Sequence, residues 1–128
     1  MFKIAKMRTL AERAIEVYAP TADEAIVLGE ALVLTEGLLH KCGATATPEY
    51  IARSAGTNKA IAVNRVLEED IFETTFAADA SAVDEGSKVT LHTDGLQVTA
   101  TTDSGVFYIT KKLGSGDIGT KVQGMFRR

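Results

Sequence analysis

The stretch KVTLHTDGLQVTA, residues 88–100, decides the fold class. Val89 and Leu91 alternate with Lys88, Thr90 and His92. Leu96, Val98 and Ala100 then alternate with Gln97, Thr99 and Thr101. A period of two is the mark of a half-buried strand. Asp94-Gly95 between two such runs is a strong short-range hairpin signal, because glycine reaches the backbone angles of a tight turn. Residues 88–101 therefore predict two antiparallel strands.

Working outward, the pattern repeats. Asp103-Ser104-Gly105 marks a turn, and Val106-Phe107-Tyr108-Ile109-Thr110 is a β-branched and aromatic run. A glycine-rich loop, Leu113 to Gly119, precedes Thr120 to Phe126, where Val122 and Phe126 share a face. Upstream, Ala60 to Val66 and Ile71 to Phe76 read as strands, and Thr47-Pro48 opens a turn into Tyr50-Ile51. Short strands with turn signals every ~8–12 residues point to an antiparallel sandwich or barrel.

The first forty residues are ambiguous. Thr9 with Glu12, and Thr21 with Glu24, fit helix capping boxes, and Ala25, Leu28 and Leu32 fall at helical spacing. Against a helix, Gly29 would sit inside it, and Arg13, Ile15 and Val17 alternate like a strand. Ala31 to Thr35, ended by Glu36-Gly37, reads as a strand and turn. We read these residues as strands, in agreement with the rest of the chain. The fold class expected is mainly β: a small antiparallel β-sandwich or barrel with an extended N-terminal arm. The division expected is an arm at 1–12 and one β-rich domain at 13–128.

The chain of 128 residues is 45% hydrophobic, enough for a core, although eighteen of those residues are alanines. A net charge of −3 argues against a general nucleic-acid binder. No apolar run reaches the ~18–20 residues of a membrane helix, and no signal-peptide pattern follows Met1. One cysteine, Cys42, excludes an internal disulfide framework.

Charge is segregated. Lys3, Lys6 and Arg8 stand at one end, Lys121, Arg127 and Arg128 at the other, and residues 68–85 hold seven acids and no base. The segment Met1 to Arg8 mixes apolar and basic residues. It reads as an arm that docks on a neighbouring subunit, with Phe2, Ile4 and Met7 burying apolar surface and Lys3, Lys6 and Arg8 meeting acids. A frayed terminus is the plainer reading.

Chemistry-bearing motifs are sparse. Gly114 to Gly119 matches G-x-G-x-x-G, but a nucleotide site needs a following helix, and the residues after Gly119 alternate like a strand. His40, Cys42 and His92 could ligate a metal, yet a structural zinc site wants four ligands. Glu68-Glu69-Asp70 could do acid–base work or hold a divalent ion, but reads first as an exposed turn. These facts point to no catalytic, cofactor or metal site and to a protein that is not an enzyme.

Three stretches carry a family resemblance: Val83 to Leu91, Asp94 to Thr99, and Gly119-Thr120-Lys121-Val122-Gln123-Gly124-Met125-Phe126. With Gly29 to Leu34 and Thr47 to Ile51, the chain resembles the head decoration, or capsid cement, proteins of tailed bacteriophages. The resemblance implies a structural virion protein on the outer capsid surface, made in the host cytoplasm, that bridges and stabilises major capsid protein subunits. It implies self-association, commonly as a trimer, without nucleic acid or membrane as partner. The alternatives are another virion subunit, of tail or head completion, or a small β-barrel that binds a ligand or metal.

Overall fold

A computed structural model describes residues 1–6, 15–18, 24–57 and 59–127, with the backbone pairing alone for 15–18. Arg13, both predicted capping boxes except Glu24, Met7 and Arg8 lie outside the described residues.

Ten strands follow in chain order: β1 (Lys3–Lys6), β2 (Ile15–Tyr18), β3 (Ala31–Thr35), β4 (Leu38–Lys41), β5 (Tyr50–Ala52), β6 (Ile61–Arg65), β7 (Ile71–Thr75), β8 (Lys88–Val89), β9 (Phe107–Lys112) and β10 (Lys121–Phe126). They form two five-stranded sheets, ordered β1-β7-β10-β9-β8 and β2-β6-β5-β3-β4, with every named pairing antiparallel. The described residues contain no helix. The small mainly-β sandwich expected from the alternation is what the chain forms.

The local reasons are those of the sequence. Thr35 pairs with Leu38 across Glu36-Gly37, whose φ angles of 52° and 80° make the tight two-residue hairpin that matches strand twist. His92 N–H donates to Gln97 O (2.9 Å) across the Asp94-Gly95 turn, and Leu91 bridges Val98. The predicted strand at 96–100 is reduced to that bridge, because Val98 also bridges Phe76 in parallel and so crosses between partners. One strand, β4, has no counterpart in the sequence reading.

The main core lies where the sheets face each other. Phe2, Phe72, Phe107 and Phe126 are buried there with Ile51, Val89, Leu91, Ile109 and Val122. Alternation sends Ile51 to this side, so Tyr50 and Ala52 point to the far face of the second sheet. They join a smaller buried cluster there with Leu32, Leu39, Ile61 and Val63.

Candidate interaction surface

The start of the chain is part of the sandwich. β1 pairs with β7, Lys3 opposite Glu73, and Phe2 N–H donates to Gly29 O (3.0 Å). The Phe2 ring stands 5.9 Å from Phe107 and 5.1 Å from Phe126. This corrects the expectation that Phe2 and Ile4 reach over a neighbour: Phe2 is buried and Ile4 is half-buried against the chain's own core. Aromatic pairing adds to area burial, so the core holds this segment before any partner arrives. Residues 1–6 thus belong to the sheet and not to a separate arm. Of the six proposed contact residues, Lys3 and Lys6 remain exposed, and Lys3 Nζ pairs with Glu73 Oε2 at 3.0 Å.

The candidate chemical groups have structural tasks. Cys42 is buried, donates to Ala46 O (3.0 Å), and burial with the nearby Glu49 charge pushes its thiol up to about 12. His40 Nδ1 lies 3.7 Å from Glu24 Oε2, and His92 Nδ1 lies 3.2 Å from Asp94 Oδ1. No group of three or more His, Cys, Asp or Glu side chains able to hold a metal ion occurs among the described residues. Glu68 and Glu69 are exposed as expected, but Asp70 is buried and accepts from Leu67 N–H (3.3 Å) to close the turn into β7. The glycine loop opens into β10, and no helix follows. Gly116, at φ 98°, accepts from Ala80 N–H (2.7 Å), and a Cβ there would meet Ala80 O at 2.7 Å.

Sequence reasoning missed Glu30, which is fully buried. Its Oε2 accepts from Val27 N–H (3.3 Å) and its Oε1 lies 3.6 Å from Lys41 Nζ. Burial raises its carboxyl above the ordinary value; the Val27 N–H and Lys41 counter that rise, and Glu24 adds to it. The carboxylate thereby props up the Val27-Leu28 turn. Only a gap in the apolar pattern marked it.

Where could a macromolecule dock? Three of the four sheet edges, β1, β8 and β4, are guarded. β1 carries a register shift between Ile4 and Lys6 and two lysines, and β8 has two residues. On β4 the outward Lys41 N–H is taken by Glu24 Oε2 (3.0 Å). Bulges, lysines and short edges are how sheets avoid adding a foreign strand. Exposed apolar side chains lie elsewhere. β1 and β10 begin, and β7 and β9 end, at one end of the first sheet. Met1 and Leu113 stand at that end, and Gly119 N–H donates to Phe76 O (2.8 Å), bringing Ile118 there too. The Phe2–Gly29 bond adds Val27 and Leu28. Five of the six exposed large apolar side chains among the described residues therefore share one end of the sandwich; Leu38 is the sixth.

No protein-family description matches the chain, and no curated protein matches it.

Proposed function

We propose that this chain is a structural virion protein that binds the outside of a tailed-phage capsid and bridges major capsid protein subunits. The observation that carries the reading is the apolar end formed by Met1, Val27, Leu28, Leu113 and Ile118. Exposed apolar side chains gathered at one end of a small domain mark an interaction site, and the guarded edges β1, β4 and β8 direct binding away from those strands. The resemblance of Val83 to Leu91, Asp94 to Thr99 and Gly119 to Phe126 to capsid cement proteins supplies the partner. Many copies on one shell each need only modest contacts, since subunits engaging several neighbours gain effective concentration.

The test is co-sedimentation with undecorated capsids. The native protein is expected to bind at saturating stoichiometry and to raise the disruption temperature of the shell. The double variant Val27→Asp/Leu113→Asp should keep its fold and lose ~10-fold or more in affinity, since each change places a charge in an apolar contact. Native protein that fails to bind undecorated shells, or that is absent from purified particles, removes the proposal.

A further inference from the structure

The strands of the first sheet hold Lys3, Lys6, Lys88, Lys111, Lys112 and Lys121, and one acid, Glu73. Register decides where these charges go. Residues paired across antiparallel strands share a face, and neighbours along a strand alternate. Phe72, Val122 and Phe126 face the core, so Ile71, Glu73, Lys121, Gln123 and Met125 face outward. Lys3 pairs with Glu73, Lys6 with Ile71, Lys111 with Gln123 and Lys88 with Tyr108, which sets all four lysines on that outer side. Lys112 turns away, and its Nζ donates to Ala80 O (3.1 Å) and Val83 O (2.9 Å).

The result is a cationic face on a chain whose net charge is −3. Its five outward lysines are exposed, and Arg127 follows them just past β10. Glu73 is already engaged: Lys3 Nζ lies 3.0 Å from its Oε2, and Gln123 Nε2 donates to its Oε1 (3.2 Å). The middle of the face is apolar. Ile71, Tyr108 and Met125 are half-buried there, with Tyr108 opposite Met125. The Arg127 guanidinium lies across two of them, 5.4 Å from the Tyr108 ring centroid and 3.6 Å from Met125 Sδ. Its charge is held in place before a partner arrives, which lowers the ordering cost of binding.

An apolar centre inside a charged rim is the anatomy of a protein-docking surface, and the sign of the rim selects an acidic counterpart. Other polyanions fit less well. Sheet faces that take single-stranded nucleic acid stack successive bases on several aromatic rings. The described residues of this face offer one ring, Tyr108, and Arg127 lies over it. A lipid surface needs apolar side chains that reach into it, and these three are half-buried. We infer that the outer face of the first sheet docks an acidic protein segment, whose carboxylates meet Lys88, Lys111, Lys121 and Arg127 around an apolar contact on Tyr108 and Met125. This surface is separate from the apolar end of the sandwich. The inference stands without the capsid reading and is tested without capsids.

The experiment is fluorescence anisotropy of a labelled peptide of about 15 residues, Glu with interspersed Tyr and Leu, titrated with the purified chain. Far-UV circular dichroism confirms the fold of each variant. The native chain should bind, about 10-fold more tightly at about 20 mM salt than at about 200 mM, where screening shortens the reach of the rim charges. Lys111→Glu should weaken binding about 10-fold by setting a like charge against the peptide. Lys59→Glu changes the net charge equally, but lies in the segment before β6 of the second sheet and should bind like the native chain. Lys59 and Lys111 are both exposed, so both variants should fold. Tyr108→Ser should weaken binding about 5-fold or more, because it removes the centre of the contact and the seat of Arg127. A native chain that leaves the peptide free at low salt, Lys111→Glu and Lys59→Glu variants that bind alike, or a Tyr108→Ser variant that binds like the native chain would overturn the inference. So would an oligothymidylate strand or a phosphatidylserine vesicle that binds more tightly than the peptide.

Discussion

The ring of Phe2 and the ring of Phe126 lie 5.1 Å apart, centroid to centroid, with their planes tilted by 55°. A residue near the start of the chain and one near its end share a core contact, although β1 and β10 are not neighbours in the sheet. Both flank β7, whose Phe72 also stands 5.1 Å from Phe126. The pairing explains why a segment with the composition of a docking arm is instead fixed in place.

Phe2→Ala should therefore cost about 3–5 kcal/mol of stability, as for other buried phenylalanines cut to alanine. Urea unfolding followed by circular dichroism measures it. A loss under ~1 kcal/mol would mean that the first strand does not hold to the core in solution.

Gly124 sits where β10 shifts register against β9, and a Cβ there would collide with the Tyr108 carbonyl oxygen and the Phe107 ring. Gly124→Ala should destabilise by about 1–3 kcal/mol through overpacking. Gly37→Ala, with open space around it but φ at 80°, tests backbone strain separately from collision. A Gly124→Ala midpoint equal to the native one would refute the close approach of the two strands.

Glu30 gives the protein a pH signature. Its carboxyl is raised above 4.5 in the folded state, chiefly by burial, so the folded chain holds this proton more tightly than the unfolded chain does. Stability then falls as pH rises from the unfolded value through the raised one. Glu73 acts in the opposite sense. The Gln123 amide and Lys3 lower it, so its contribution is present above 4.5 and fades as pH drops below. Glu30→Gln should remove the fall above pH 4.5 while keeping an acceptor for Val27 N–H. Urea midpoints between about pH 4 and 8 decide it; parallel native and variant curves would mean Glu30 is not the source.

Cys42 should resist a thiol reagent in the native state, since it is buried and its thiol is pushed up to about 12. Thiolate is the reacting form, so both exposure and ionisation oppose attack. Absorbance from a disulfide reagent should appear only as the chain unfolds in denaturant. Full reaction within minutes in buffer would contradict this burial.

The strands that alternate cleanly were legible in the sequence. Ile71 to Thr75, with Phe72 and Thr74 buried, and Lys121 to Phe126, with Val122, Gly124 and Phe126 buried, carry period two because one side meets the core and the other meets water. β4 was not legible: Leu38-Leu39-His40-Lys41 is too short to show a period, and its place depends on the Glu36-Gly37 turn. The fate of residues 1–6 was misread for a related reason. Phe2, Lys3 and Ile4 look alike whether an apolar strand is covered by its own chain or by another; only the pairing of Lys3 with Glu73, seventy residues away, decides it. The exposed end was hidden because Val27, Leu28 and Ile118 resemble core residues by composition. Their exposure follows from the turns that carry them.

The second sheet, β2-β6-β5-β3-β4, draws all its strands from residues 15–65, whereas the first needs β1, β7 and β10 together. During synthesis the second sheet can pair as soon as residue 65 has left the ribosome. The aromatic cluster must wait for Phe126, with Phe2 and Phe72 left uncovered until then. Such long-range closure is slow and exposes sticky surface, so translation stalled ahead of β10 should yield a half-built, aggregation-prone species.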